Sequence, residues 1–600
     1  MVDAGSEAKR DKKLTIPDSP LNESLTASLG SYESAVREAL AEAEQVNVVQ
    51  RIWEKDAPLW KTEEFHQKII INSLGWLTVP AEMLKVADEL RTFAETVRDE
   101  ARFQHVMVCG MGGSSLCPEV FRQTFRRQAQ SPELLVLDST DPDAIDDLSS
   151  QIDVQRCLFI IASKSGSTTE PLAFHRYWYN EVALKSATPG NSFVAITDPG
   201  SQMADTARAE GFQRIFLNQT DIGGRYSALS YFGMVPAALM GLDVKSLLRR
   251  AVTMGDACGA GVPINKNPGA RLGAIVAECA RAGRNKLTII TDHKLSAVGL
   301  WIEQLIAEST GKEGKGIVPV VGEPLGSVSS YGNDRLFVSL SVGTLDKETK
   351  SQLKALEDAG HPIIFRSLTD IYDLGAEFFL WEMATAFAAW RMRINPFDQP
   401  NVQESKDATK ALLEVFAREG KLPEQSPVAG DGPLTVYADD QIGVRASSGA
   451  PTSVRDVLRQ HLARTKPGDY IAMLAYVEET REIDGAMQAI RASVRDATQC
   501  ATTTGYGPRF LHSTGQLHKG GPDSGVFIQL TAPDKKDMAV PGATYTFSIL
   551  KDAQAQGDFE SLLAHDRRAM RVDLGADVLI GLAKLKESID GIVAGNGRVA

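Results

Sequence analysis

Cysteine is scarce in this sequence, and no two cysteines stand at the short spacing of a metal site. The six cysteines are scattered singly among 600 residues, from Cys109 to Cys500. The chain also opens without the basic and apolar segments of a secretory signal. These absences argue against a zinc module and a disulfide scaffold, and they predict a protein of the reducing cytoplasm.

Positive charge and long hydrophobic runs are lacking as well. Asp and Glu total 77 against 64 Lys and Arg, so the formal net charge is −13. A protein that binds duplex nucleic acid needs a net positive charge. A local basic pocket for an anionic metabolite is still compatible with the net negative charge. The most apolar helix-like stretch, residues 375–390, carries Glu377 and Glu382 and is too short to span a bilayer. We therefore predict a buried core helix there.

Short-period repeats and low-complexity tracts are absent, and 43% hydrophobic residues in 600 suffice for two to four domains. From His105 onward, short apolar runs such as HVMVCG, CLFIIAS and KLTIITD are followed by Gly/Ser-rich turns and amphipathic stretches. Such runs are typical of parallel strands buried on both faces, with crossover helices between them. The pattern predicts an α/β fold.

Changes of composition divide the chain into segments. Charged, aperiodic residues open it, helical patterns follow, and a Pro/Gly-rich linker separates two strand-rich regions from a third. The predicted segments are a disordered arm (1–20), N-terminal helices (21–99), two doubly wound units with parallel sheets (100–242 and 243–420) and a C-terminal α/β segment (434–600).

Two Gly/Ser/Thr turns, in CGMGGSSL and ASKSGSTTE, follow successive predicted strands. Open α/β sheets bind ligands at such strand ends, where backbone N–H groups, hydroxyls and a helix N-terminus suit a phosphate. The first turn is not the dinucleotide fingerprint, because Ser115 stands where its third glycine belongs. Either turn alone is more often an ordinary helix cap, but the pair favours a phosphate site. The candidate hydroxyls belong to Ser114, Ser163, Ser165 and Thr168.

Three later segments carry candidate catalytic side chains. GGRYSALS places Arg225 after two glycines at a helix start, where a fixed guanidinium can stabilise an oxyanion. LWIEQLIAESTG puts Gln304 and Glu308 on one helical face, and Glu308 is a candidate proton shuttle. NPFDQPNVQESK sets Lys406 seven residues after Gln399. Each residue taken alone is more often a salt-bridge partner or a surface charge.

Together, and in this order over about 110–406, these motifs resemble those of glucose-6-phosphate isomerases. The resemblance is strongest to the isomerase part of bifunctional transaldolase/glucose-6-phosphate isomerases, although a transaldolase barrel of about 250 residues has no room before the motifs. It implies two sugar-isomerase (SIS) domains and an aldose–ketose isomerase that interconverts glucose 6-phosphate and fructose 6-phosphate through a cis-enediol. It implies no metal or organic cofactor, no nucleic acid and no membrane, and it is compatible with a homodimer.

The resemblance also implies roles for single residues. Glu308 would move a proton between C1 and C2, Arg225 would steady the enediolate, and Lys406 would take part in ring opening. The implied substrate contacts are the phosphate-binding Ser114, Ser163, Lys164, Ser165 and Thr168, the pocket-lining Gly113, and the sugar-binding Gln304 and Gln399.

One part of the family pattern is displaced. In the family a ring-opening histidine follows a GEP turn before the lysine motif, but VVGEPLGSVSSYGND has the turn and no histidine. The family's histidine, with a glutamine four residues on and a glycine close behind, matches His512, Gln516 and Gly520, which come after the lysine motif. We predict that the C-terminal segment folds back, or reaches across a dimer, to deliver His512. The alternatives are His518 and His361.

Two other functions share part of this pattern. A non-catalytic SIS-domain sugar-phosphate sensor would keep the phosphate turns but need not combine Glu308, Lys406 and His512. An aminosugar-phosphate synthase also uses two SIS domains. Its amidotransferase half, however, needs a cysteine at the mature N-terminus, and MVDAGSEAK has none.

Overall fold

Three sheets with helices on their faces form the frame of the chain. The computed structural model describes residues 25–439, 442 and 453–596, so the arm predicted at 1–20 lies outside the described residues. The strands within each sheet are mostly parallel and are joined by helices. The α/β class with two doubly wound units and a C-terminal α/β segment is thereby confirmed.

The N-terminal segment is mainly helical but contributes a strand to a distant sheet. Strand β1, Leu25–Ser28, pairs antiparallel with a later strand, Leu25 opposite Arg366, which the helical pattern of 21–99 does not predict. Its residues alternate between buried and half-buried, as expected for an edge strand with one covered face. The helices that follow are α1 (Glu33–Gln45), α2 (Val48–Trp53), α3 (Glu64–Ile71) and α4 (Val79–Asp99).

The first doubly wound unit contains a five-stranded parallel sheet. Its strands are β2 (His105–Gly110), β3 (Glu133–Leu137), β4 (Cys157–Ala162), β5 (Phe193–Thr197) and β6 (Arg214–Leu217), in the order β3-β2-β4-β5-β6. Gly110 pairs with Ala162, so the turns after β2 and β4 leave the sheet side by side. Its helices are α5 (Leu116–Thr124), α6 (Pro142–Gln151), α7 (Thr169–Ala183), α8 (Gln202–Ala209) and α9 (Tyr231–Leu239).

The second unit repeats this design with β1 as its antiparallel edge. Its own strands are β7 (Lys286–Thr291), β8 (Val318–Val321), β9 (Arg335–Val342) and β10 (Ile363–Leu368), in the order β1-β10-β9-β7-β8. Its helices are α10 (Val244–Ala257), α11 (Pro268–Arg281), α12 (Ser296–Thr310), α13 (Lys347–Asp358), α14 (Leu374–Met392) and α15 (Pro400–Glu419).

The C-terminal segment forms a six-stranded sheet. Its strands are β11 (Ala429–Asp431), β12 (Leu434–Ala438), β13 (Tyr470–Tyr476), β14 (Ala501–Tyr506), β15 (Gly525–Thr531) and β16 (Arg568–Asp573), in the order β11-β12-β16-β15-β13-β14. Its helices are α16 (Val454–Leu462), α17 (Arg481–Thr498), α18 (Gly515–Gly520), α19 (Phe547–Ala564) and α20 (Val578–Asn596). The exact domain limits stay a prediction, since a sheet shows where strands pair and not where a folding unit ends.

The C-terminal segment packs against both doubly wound units. Between β15 and α19, Val540 joins the apolar cluster of the first unit, and Phe547 stacks on Phe174 with ring centroids 6.1 Å apart. On the other side, Leu517 shares an apolar cluster with Ala307 of α12. These contacts hold the loop that contains His512 between the two units of the same chain.

Helix α14 is buried on every side over Leu374–Ala389, which confirms the predicted core helix. Glu377 pairs there with the buried Arg366. The carboxylate oxygens of Glu382, by contrast, have no hydrogen-bond partner among the described residues. Burial raises the pKa of Glu382 well above its ordinary value, so this carboxyl stays protonated in the folded chain. No helix of the described chain is long and apolar enough to cross a membrane.

We expect Glu382→Gln to flatten the pH dependence of stability above about pH 4.5, where the carboxyl of the unfolded chain ionises. In the folded chain Glu382 keeps its proton, whereas in the unfolded chain it ionises above about pH 4.5. Wild-type stability therefore falls by about 1.4 kcal/mol for each pH unit up to the raised pKa. Urea unfolding at several pH values measures this slope. Glu377→Gln is the matched control and should destabilise the chain at each pH where Glu377 is ionised, because it removes one partner of the buried pair with Arg366. An unchanged slope in Glu382→Gln would contradict the assignment.

Candidate active site

The site is assembled where two turns of the first unit meet. A short 3₁₀ turn at Gly112–Ser114 follows β2, and a second at Gly224–Tyr226 carries Arg225. A Cβ atom at Gly113 would stand 1.9 Å from the carbonyl oxygen of Gly224, so only glycine permits this approach. The close packing fixes Arg225 beside the first of the predicted phosphate turns.

Arg225 contacts two predicted site residues, Glu308 and Gln399, and also Ser309, the neighbour of Glu308. Its guanidinium is buried, and Nη1 lies 3.1 Å from Oε1 of Glu308 and 3.0 Å from Oε1 of Gln399. Nε donates to Oγ of Ser309 at 2.8 Å. In this arrangement the carboxylate of Glu308 can take up a proton. The fixed guanidinium of Arg225 can stabilise the oxyanion that forms.

Gln304 and Glu308 share one face of α12, as the i, i+4 spacing predicts. Nε2 of Gln304 lies 3.3 Å from Oε2 of Glu308 and donates to the carbonyl oxygen of His512 at 2.8 Å. A Cβ atom at Gly112 would also meet the His512 side chain, at 3.1 Å. The displaced histidine therefore reaches the Glu308 face within one chain.

Glu170 holds the imidazole of His512. Nε2 of His512 lies 3.0 Å from Oε1 of Glu170, and Gln554 donates to the same oxygen at 2.7 Å. Burial alone would raise the pKa of Glu170, but the charge and hydrogen bond of His512 outweigh it, so the pKa lies below its ordinary value. Sequence reasoning missed this residue, although it ends the motif SKSGSTTE.

The turn after β4 brings its hydroxyls together. Ser163 donates to Oγ1 of Thr168 at 3.3 Å, and Ser165 accepts from the backbone and the hydroxyl of Ser167 at 3.3 and 3.0 Å. Gly166 has φ +67°, and a Cβ there would stand 2.7 Å from the backbone nitrogen of Met203. The turn is thus a tight cup of hydroxyl and N–H groups, suited to an anion.

Lys164 is paired with Asp198 and the backbone of Thr220. Its ammonium lies 2.5 Å from a carboxylate oxygen of Asp198, and it donates to the carbonyl oxygen of Thr220 at 2.8 Å. The positive charge that the sequence suggests for the turn is thus partly neutralised by Asp198.

A cleft of about 530 Å³ opens between α7, α15 and the His512 loop. Thr168, Glu170, Lys406 and His512 line it, and its volume is within the range of about 300–1,000 Å³ usual for small-molecule sites. Glu308 and Arg225 do not line this cleft. Glu308 is linked to it through Gln304 and the backbone of His512.

A second set of charged groups, Lys312, Asp398 and His66, contacts Arg225 through the backbone of Asp398. Nζ of Lys312 lies 2.7 Å from Oδ1 of Asp398, and Nδ1 of His66 lies 3.2 Å from Oδ2. The carbonyl oxygen of Asp398 accepts from Arg225 at 3.0 Å. Burial and the nearby charge of Arg225 lower the pKa of Lys312 to about 8. Asp398 stands in the quoted motif NPFDQPNVQESK and Lys312 directly follows LWIEQLIAESTG, whereas His66 has no sequence signal.

The two alternative histidines lie outside this arrangement. His518 is buried beside Phe527, with ring centroids 5.1 Å apart, and burial holds its pKa well below the ordinary value. Nδ1 of His361 lies 3.1 Å from Nη1 of Arg284, and burial lowers the pKa of His361 to about 4. No described contact joins either ring to Glu308 or Lys406.

Comparisons with known proteins show similar chains. Residues 33–321 match the family model of phosphoglucose isomerase. The chain is 29% identical over 384 residues to a glucose-6-phosphate isomerase of Synechococcus sp. (strain JA-2-3B'a(2-13)), covering 55% of this chain and 71% of that one. It is 26% identical over 391 residues to a probable glucose-6-phosphate isomerase of Methanococcus maripaludis, covering 58% and 86%.

Solved structures show the same fold. A hypothetical protein of Thermus thermophilus superposes with a TM-score of 0.55 at 23% identity, over 64% of this chain and 99% of that one. A glucose-6-phosphate isomerase of Chlamydia trachomatis gives 0.51 at 20% identity, over 66% and 89%.

Paired doubly wound sheets, with a hydroxyl cup after β4 and the contact of Glu308 with Arg225 beside it, define the class as an α/β protein of the sugar-isomerase (SIS) type. The motifs, their order along the chain and the matched family model narrow this class further. Residues 33–321 match phosphoglucose isomerase, and more than half of the chain is similar to glucose-6-phosphate isomerases.

Proposed function

We propose that this protein is an aldose–ketose isomerase that interconverts glucose 6-phosphate and fructose 6-phosphate, a step of glycolysis and gluconeogenesis. The observation that carries the proposal is the juxtaposition of Glu308 with Arg225 at 3.1 Å, joined through Gln304 to His512. A sensor of sugar phosphates needs an anion site but has no use for this acid–base arrangement.

Ring opening is assigned to His512 and Lys406, which line one cleft. Cyclic glucose 6-phosphate hides its carbonyl, so the ring oxygen must gain a proton while the anomeric hydroxyl loses one. With Nε2–H donated to Glu170, His512 in its protonated form would give its Nδ1 proton to the ring oxygen. Lys406 in its amine form would accept the proton from the anomeric hydroxyl, so one proton enters the sugar and one leaves it.

Isomerisation of the open chain is assigned to Glu308. Its carboxylate removes the proton from C2, forming a cis-enediolate, and returns it at C1. The hydroxyl proton on O2 moves to O1 in the same step, so the carbonyl moves from C1 to C2 with no net gain or loss of atoms. A general base of this kind contributes about 10²–10⁴-fold. Arg225 would stabilise the negative oxygen of the enediolate, a contribution of about 3 kcal/mol by analogy with one oxyanion-hole donor.

Substrate binding is assigned to the turns at the strand ends. The hydroxyl cup of Ser163, Ser165 and Thr168, with Ser114 from the neighbouring turn, would take the phosphate, and Gly113 would line the sugar pocket. Gln304 and Gln399 would bind sugar hydroxyls. Lys164 would contribute only if its pair with Asp198 opens, since the two atoms are 2.5 Å apart.

Two further properties belong to this proposal. A cytoplasmic location is supported by six cysteines that are all buried and unpaired. A homodimer stays a prediction, and delivery of His512 does not require one, because its contacts to Gln304 and Glu170 are made within one chain.

The test is a coupled assay in which fructose 6-phosphate formed from glucose 6-phosphate is consumed by a second enzyme. We expect turnover by the metal-free protein, together with exchange of the C2 hydrogen with solvent. A protein that binds both sugar phosphates without turnover or exchange would be a sensor, and the isomerase proposal would be wrong.

A further inference from the structure

Gln516 lies where three segments with proposed catalytic groups meet. It is fully buried in α18, four residues after His512. On one side its side chain reaches the end of α12, the helix of Glu308. On the other it reaches the start of α15, the helix of Lys406.

The amide of Gln516 makes three hydrogen bonds across these segments. Nε2 donates to the carbonyl oxygen of Gly311 at 2.9 Å and to Oδ1 of Asn401 at 2.8 Å. Oε1 accepts from the backbone nitrogen of Asn401 at 2.9 Å. Because two donors and one acceptor are engaged at once, the position of α15 is fixed relative to α12.

The surroundings of Gln516 leave little freedom for another arrangement. A Cβ atom at Gly520 would stand 2.4 Å from Oδ1 of Asn401 and 2.6 Å from Nε2 of Gln516. The backbone of Gly314 also donates to the carbonyl oxygen of Gly520 at 3.0 Å. The three segments are therefore in close contact at this one point.

We propose that Gln516 is a positioning residue that holds His512 and Lys406 in register with Glu308. It touches no reacting atom in this scheme and acts through the two segments that it joins. The inference rests on the proposed function, since it concerns the ring-opening pair of that reaction. It extends that function by explaining how a histidine placed after the lysine motif is brought into line with the rest of the site.

The test is Gln516→Met, which keeps the length and approximate volume of the side chain and removes all three hydrogen bonds. A displacement of about 1 Å between reacting groups costs on the order of 10²-fold in rate. We therefore expect turnover of cyclic glucose 6-phosphate to fall by about 10- to 100-fold. The KM and the hydrogen exchange of an open-chain analogue should change by no more than about twofold, the limit for independent sites.

The matched control is Thr502→Val in β14. Its buried hydroxyl donates to Oε1 of Glu323 at 2.8 Å, so it also joins the C-terminal segment to the second unit, but away from the cleft. This variant should lose stability without changing the ratio of cyclic to open-chain activity. Equal ratios in Gln516→Met and Thr502→Val would overturn the inference.

A double variant separates positioning from general damage. In a His512→Ala background, Gln516→Met should lower cyclic turnover by no more than about a further twofold, because the group it positions is already gone. The same 10- to 100-fold loss in both backgrounds would overturn the inference.

A crystal structure of Gln516→Met tests the positioning independently of activity, and so distinguishes its failure from failure of the proposed function. We expect Asn401 to move relative to Gly311, and unchanged positions would overturn the inference.

Discussion

Glu308→Gln is expected to lower exchange of the C2 hydrogen, and with it isomerisation, by at least about 10²-fold. The amide has the same shape as the carboxylate and leaves Gln304 in place, but it cannot accept the proton. Affinity for a non-reacting phosphate analogue should survive, because the hydroxyl cup after β4 is untouched. Exchange of tritium from C2 into water measures the first effect, and equilibrium binding measures the second.

Glu303→Gln is the matched control for this prediction. Glu303 lies on the same helix and is also buried, and burial raises its pKa to about 7. The charges that lower its pKa against this effect of burial, Arg491 and Arg509, belong to the C-terminal segment and not to the site. Exchange should therefore continue in Glu303→Gln. Near-normal exchange in Glu308→Gln would remove Glu308 from the role of base.

His512→Ala is expected to depress turnover of cyclic glucose 6-phosphate by about 10²-fold or more, the loss typical of a general acid. Exchange catalysed by Glu308 on an open-chain analogue should persist, because ring opening is no longer required. Steady-state kinetics with the two substrates, side by side, separates the steps.

The control is His175→Ala. Nε2 of His175 lies 2.7 Å from Oε2 of Glu210, so it matches His512 in its carboxylate partner. It lies in the middle of α7 and does not line the cleft. His175→Ala should lower stability without changing the ratio of activities on the cyclic substrate and the open-chain analogue. Unchanged cyclic turnover in His512→Ala would return the loop to a structural role and make His518 or His361 the next residue to test.

Much of the fold could be predicted because its signals are local. Each buried strand is a short apolar run, and a strand is recognised over about four to eight residues without knowledge of its neighbours. Strand β1 escaped prediction for the opposite reason. Its four residues are stabilised by pairing with β10, more than 300 positions away, and the surrounding sequence is helical.

The site shows the same division. The shared face of Gln304 and Glu308 follows from helical spacing, and the side-by-side turns follow from parallel strands. The partners of those side chains do not follow from spacing. Asp198 pairs with Lys164, and the buried Glu170 pairs with His512. Both partners come from other parts of the chain, and no local pattern indicates them.

The sequence by itself determined the α/β class, the order of the motifs and the candidate groups for acid–base chemistry, since these depend on residue type and short spacing. Only the tertiary structure decided that His512 returns to the Glu308 face within one chain, and that Gln516 joins the helices of Glu308 and Lys406. The reason is physical: loop closure costs little extra free energy as a loop lengthens. A residue about two hundred positions away can therefore complete a site, and nothing in its local pattern says which surface it will meet.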